Sequence, residues 1–137
     1  MLRAINTAKK IGAAHKLPVQ IDSRLRELDF GAWEGRRLAD LWIEEPEAAS
    51  AWERDLRATP LSFAEDVAQM EARVAAFWQD ASARARGALA VVAHRGSLAV
   101  LQALATGAPV DSIFAAGFEL GTAVWINVSH RIRRPAS

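Results

Sequence analysis

A chain of 137 residues is long enough for one compact domain with its own core and too short for two. Half of it is hydrophobic and a quarter charged, and the net charge of +1 creates no field that would gather nucleic acid or an anionic membrane. The absence of cysteine excludes disulfides, thiolate metal sites and cysteine nucleophiles; no apolar run spans a bilayer and no signal-peptide pattern opens the sequence, so a cytoplasmic protein is expected.

Residues 2–16 have helical composition, with Leu2, Ile5, Ala8 and Ile11 along one side. Pro18 breaks that helix, and Val19–Ile21 reads as a short strand. Residues 24–35, RLRELDFGAWEG, mix two glycines with an irregular pattern and read as a loop. A short helix is expected over 36–44, stopped near Pro46, and a second over 47–57. The strongest periodicity lies at 63–84, where Phe63, Val67, Met70, Val74, Phe77 and Ala81 form an apolar stripe. Ser62 with Glu65 predicts a capping box at its start, and Gly87 its end. Residues 88–93, ALAVVA, form the continuous apolar run of a strand buried on both faces. His94, Arg95, Gly96 and Ser97 follow, opening a helix with Leu98, Leu101 and Leu104 or Ala105 inward, closed by Gly107 and Pro109. Thr122–Val128 reads as a last strand. Strands interleaved with helices predict an α/β domain with a mostly parallel sheet.

In such sheets ligands bind beyond the carboxyl ends of the strands, which is where His94 stands. The free N–H groups of the helix turn at Gly96-Ser97 make an anion site, and a histidine beside it can hydrogen-bond or protonate a phosphate oxygen. The same histidine could equally serve only to cap the helix. Glu27, in the loop after the first short strand, could give a proton to a leaving oxygen if an anion bound nearby, or be a solvated surface charge. Arg3 could clamp phosphate oxygens or face solvent like most helical arginines.

Four segments in order resemble the histidine phosphatase superfamily, and within it the α-ribazole phosphatases. LRAINTA at 2–8 resembles the helix start carrying a phosphate-binding arginine, RLRELDFGAWEG the segment with the acid glutamate, FAEDVAQMEARV at 63–74 the Gly-Glu-Ser helix start, and VVAHRGSLAVL at 91–101 the strand–His–Gly–helix segment. The resemblance implies a three-layer α/β/α phosphoglycerate mutase-like fold. It also implies that Arg3 clamps phosphate, Glu27 donates the proton, and His94 stabilises the transferring phosphoryl group; beside them, the helix start adds Gly96 and Ser97 as phosphate contacts, and Arg95 either adds another or crowds the pocket. Glu65 matches the glutamate of Gly-Glu-Ser, but its place in the expected capping box gives it a structural task first.

The sequence also departs from the family. The family opens with a strand ending in Arg-His-Gly, whose histidine attacks phosphorus, and no Arg-His-Gly occurs here. His15 lies near a helix C-terminus and His130 in the tail, so neither replaces it. Arg95 stands where the family has a small residue, and Phe63, Ala64 and Asp66 replace its small turn residues and serine. The expectation is therefore a single domain over 1–137, incomplete at its N-terminal side and lacking the fold's first strand. By lineage it is a phosphomonoesterase for a small phosphate monoester, such as the α-ribazole phosphate of cobalamin biosynthesis, with inorganic phosphate as the other small-molecule partner. Neither metal nor cofactor is expected. The alternatives are an inactive remnant that binds phosphate or a protein partner, and a phosphoglycerate mutase-like enzyme, which the lack of long insertions disfavours. A strand 88–93 left with an open edge predicts a homodimer or another edge-paired assembly.

Overall fold

The computed structural model describes residues 2–58, 62, 64–116, 119 and 121–127, with backbone alone for 114–116. Its helices are α1 (Leu2–His15), α2 (Leu38–Glu44), α3 (Pro46–Arg54), α4 (Val67–Arg84), α5 (Arg95–Thr106) and α6 (Val110–Ala116), with single 3₁₀ turns at Ser23–Leu25 and Gly31–Trp33. The loop expected at 24–35 thus contains two tight turns, the first capped by Asp22, whose carboxylate accepts the Arg24 N–H at 3.0 Å.

The core forms where the apolar stripe of α4 meets α5. Val67, Met70, Val74, Phe77 and Ala81 are buried against Leu28 from the loop and Val100 and Leu101 from α5. Phe63, the first residue of the expected stripe, lies outside the described residues. On α5 the inward face carries Gly96, Ser97, Ala99, Val100, Leu101 and Ala103, whereas Leu104 is 39% exposed. Four of these six residues, Gly96, Ser97, Ala99 and Ala103, are small. A second cluster joins Trp33 to Leu41 of α2 and Ala49 of α3. The ring of Trp52 stands edge-on to Phe30 and to Trp33, each at 5.8 Å between centroids, a geometry suited to the aromatic quadrupole.

The start of α4 differs from expectation. The capping box uses Asp66, whose carboxylate accepts the Gln69 N–H at 2.7 Å, while the Gln69 side chain accepts the Asp66 N–H at 3.1 Å. The expected box of Ser62 with Glu65 does not start the helix: α4 begins at Val67, and the Glu65 carboxylate is held by Arg26 and Arg73. The helix ends at Arg84, with Ala85 in extended conformation as its cap, so Gly87 is not the terminator. Gly107 does end α5, at φ 74°, in the left-handed region that favours glycine.

The three expected strands are not paired among the described residues. Val19–Ile21, residues 88–93 and residues 122–127 belong to no helix and join no sheet ladder, and Val128 lies outside the described residues. A strand is stabilised by its neighbours' N–H and C=O groups, and no ladder bond joins these three to a described segment. Their apolar side chains are correspondingly open: Ile21 is 62% exposed, Leu89 52% and Trp125 91%. Helix α1 shares this openness, with Leu2 75% exposed and Gly12 its only buried residue.

Candidate active site

The centre of the site is the start of α5. His94 precedes the helix with an extended backbone, and its side chain is buried between the end of the 88–93 segment and the loop that carries Glu27. The backbone N–H of His94 donates to the Ser97 hydroxyl at 3.3 Å. Burial pushes the imidazole pKa below its ordinary value; the nearby Glu27 carboxylate acts upward, and the positive charge of Arg3 downward. Desolvation prevails, so His94 is neutral at neutral pH, able to donate one N–H and accept at the other nitrogen. That both Glu27 and Arg3 act on this ring brings the three sequence-derived candidates into one neighbourhood.

Glu27 occupies the place where an external anion was expected. The Gly96 N–H donates to its Oε1 at 3.0 Å and lies 3.3 Å from Oε2, and the Leu28 N–H also donates to Oε1 at 3.0 Å. The positive end of α5 therefore already faces a carboxylate of the chain itself. Gly96 is needed for this approach: a Cβ there would collide with Glu27 Oε1 and lie 3.4 Å from its Cδ and 3.5 Å from Met70 Sδ. Ser97 is likewise engaged. Its hydroxyl, fully buried, donates to the Leu25 carbonyl at 3.1 Å and lies 3.2 Å from the His94 carbonyl. In the structure the Gly96 N–H and the Ser97 hydroxyl both serve the loop that holds Glu27, so neither of these two donors is free.

Arg95 and Arg3 differ from these two. Both are exposed, and neither guanidinium has an ion-pair partner among the described residues. Of the candidate site residues, these two are cations still able to meet a ligand. Beside His94 a small cleft opens, walled by Ala4, Ile5 and Ala8 of α1, by Val19–Asp22, and by Arg26 and Val92. Among the described residues no three His, Asp or Glu side chains gather as a metal site, and no helix is long and apolar enough to cross a membrane. His15 is exposed at the end of α1, and His130 lies outside the described residues.

Sequence reasoning missed the arginine framework beneath Glu27. Glu65 pairs with Arg73 at 2.6 Å and with Arg26 at 3.0 Å, and the Glu65 and Arg73 side chains are only 7% and 11% exposed. Arg26 precedes the acid candidate directly, yet nothing in the local pattern joins residues 26, 65 and 73. The structural role given to Glu65 stands with a different mechanism: it anchors arginines instead of capping α4.

The chain belongs to the histidine phosphatase superfamily (branch 1), whose family model matches residues 1–135. It is 33% identical over 138 residues to a glucosyl-3-phosphoglycerate phosphatase of Mycolicibacterium vanbaalenii, a match covering 96% of this chain and 61% of that protein. It is 34% identical over 119 residues to the adenosylcobalamin/α-ribazole phosphatase of Escherichia coli, covering 82% of this chain and 56% of that protein. The solved α-ribazole phosphatase of Shigella flexneri superposes with a TM-score of 0.74 at 31% identity, covering 87% of this chain and 59% of the other. These neighbours place the chain in the α/β histidine phosphatase fold. The chain spans about 60% of the length of the relatives it matches.

Proposed function

We propose that the chain forms the greater part of a phosphomonoesterase site for a small phosphate monoester, of the α-ribazole phosphatase kind, that is completed by a histidine-bearing strand. One observation carries this reading: a neutral, buried His94 stands beside the Glu27 carboxylate and within the field of Arg3, at the edge of an open cleft. In this reading Arg3 and Arg95 neutralise the phosphoryl oxygens, and the His94 N–H stabilises the negative charge that grows on them during transfer. Glu27, in its protonated form, gives the proton to the leaving alkoxide and returns to the carboxylate that the Gly96 and Leu28 N–H groups hold. Gly96 and Ser97 contribute by holding Glu27 and its loop in place.

The group that attacks phosphorus is not among these residues. The sequence has no Arg-His-Gly, and the described residues offer no second histidine at the cleft. The cleft between Val19–Asp22 and Val92–His94 is flanked by two extended segments that join no ladder among the described residues, the setting in which a further strand would gain hydrogen bonds on both edges and complete the sheet of a three-layer fold. A nucleophile presented there would face His94. Without it the chain is a phosphate binder and not a catalyst.

Calorimetric titration with inorganic phosphate or vanadate tests the proposal. Weak binding by the wild type should fall with His94→Ala and with Arg3→Ala. Equal heats from all three proteins would remove the anion site and with it the phosphatase reading.

A further inference from the structure

The loop that carries Glu27 has an unusual means of support. Four consecutive carbonyls, those of residues 24–27, each accept from a side chain of a packed helix. Arg73 of α4 donates through Nη1 to the Arg24 carbonyl at 2.6 Å and the Arg26 carbonyl at 2.8 Å, and through Nη2 to the Glu27 carbonyl at 3.1 Å. Ser97 of α5 serves the remaining one, Leu25. Arg73 is in turn held by Glu65, Nε to Oε1 at 2.6 Å and Nη2 to Oε2 at 2.7 Å. Those bonds use all five N–H groups of the guanidinium, in a fork that lysine cannot reproduce. No sheet ladder pins this loop among the described residues, so the direction in which the Glu27 side chain leaves the backbone depends on these side-chain donors.

We infer that Arg73, braced by Glu65, is the positioning residue for Glu27: it splints the backbone of residues 24–27 so that the carboxylate meets the start of α5. The inference rests on the reading of Glu27 as the acid of the site, but its geometry can be tested without substrate. A largely buried, fully bonded guanidinium spanning four residues of chain is far from the exposed ion pair that contributes little. Its effect on Glu27 is indirect, through the carbonyls of the loop, because Arg73 makes no hydrogen bond to the Glu27 carboxylate itself.

The Gly96 amide reports the result, since its partner is the Glu27 carboxylate. Arg73→Lys keeps the charge and loses the fork. Amide exchange followed by NMR should show Gly96 exchanging about tenfold or more faster in Arg73→Lys, while the mid-helix amides of Leu101 and Ala103 keep their rates. In a Glu27→Ala background, where the acceptor is gone, the same substitution should add nothing at Gly96. An unchanged Gly96 rate, or one that rises in step with Leu101 and Ala103, would overturn the assignment. Should Arg73→Lys not fold, Glu65→Gln provides the second measurement: the selective rise at Gly96 supports the splint, and its absence overturns it. No phosphate is present in these experiments, so failure of the phosphatase reading would appear only in the calorimetric titration.

Discussion

Gly96→Ala isolates the contact between Glu27 and α5. In an ordinary first turn of a helix this change would be mildly stabilising, since alanine loses less backbone entropy than glycine; the gain is up to about 1 kcal/mol in a helix interior. Here the added Cβ meets Glu27 Oε1, with Cδ 3.4 Å away and Met70 behind it, so the carboxylate must leave. Departure breaks its bonds to the Gly96 N–H, and a hydrogen bond to a charged group contributes about 1.5–3 kcal/mol. It also forfeits the favourable placement of a carboxylate at a helix N-terminus, about 0.3–1 kcal/mol. Glu27 is half-buried, so it regains hydration when displaced, which offsets part of the loss. After the gain from alanine is subtracted, the net destabilisation is about 1–2 kcal/mol, a fall in Tm of roughly 3–8 °C for a domain of this size. Thermal unfolding followed by circular dichroism measures it. Adding Glu27→Ala should reverse the sign of the Gly96→Ala effect, because the clash is gone. If Gly96→Ala alone unfolds at the wild-type temperature or above it, the packing of Glu27 onto α5 is not as described.

Three further outcomes are expected. Turnover of α-ribazole phosphate or an aryl phosphate by this chain should stay at background, because no phosphohistidine can form without the nucleophile; a robust rate abolished by His94→Ala would show that His94 itself attacks phosphorus. Burial lowers the His94 pKa, so the unfolded chain binds the proton more tightly than the folded one. The associated stability is present above the unfolded value, near 6.5, and is lost as pH falls through the folded value, so His94→Gln should flatten the decline of Tm over that interval; an unchanged slope would contradict the burial of the ring. Self-association should increase with concentration in light scattering, because residues 88–93 have no backbone partner among the described residues. Water can satisfy the exposed residues 88–90, so the cost of about 1–3 kcal/mol per unpaired buried group falls on the half-buried 91–93 alone. A monomer at every concentration would count against edge pairing.

The helices were legible because their information is local. The spacing of Val67, Met70, Val74, Phe77 and Ala81 identifies the buried face of α4 without any knowledge of its partner, and Gly107 marks the end of α5 by its own backbone freedom. Short motifs singled out Glu27 and His94, and the fold brings the Glu27 carboxylate to the start of the helix that follows His94. What the sequence could not determine is which donor meets which acceptor. The helix start at Gly96 looked free for phosphate, yet the fold fills it with Glu27, a residue far away in the chain. Glu65 lies one residue before the cap that forms, and only the approach of Arg26 and Arg73 decides that it braces arginines instead. Strand residues show the same division. Apolar composition predicts that 88–93 wants to be extended and covered, but a ladder exists only where a neighbour supplies its N–H and C=O groups. Pairing is a property of two segments, and one segment's sequence cannot contain it.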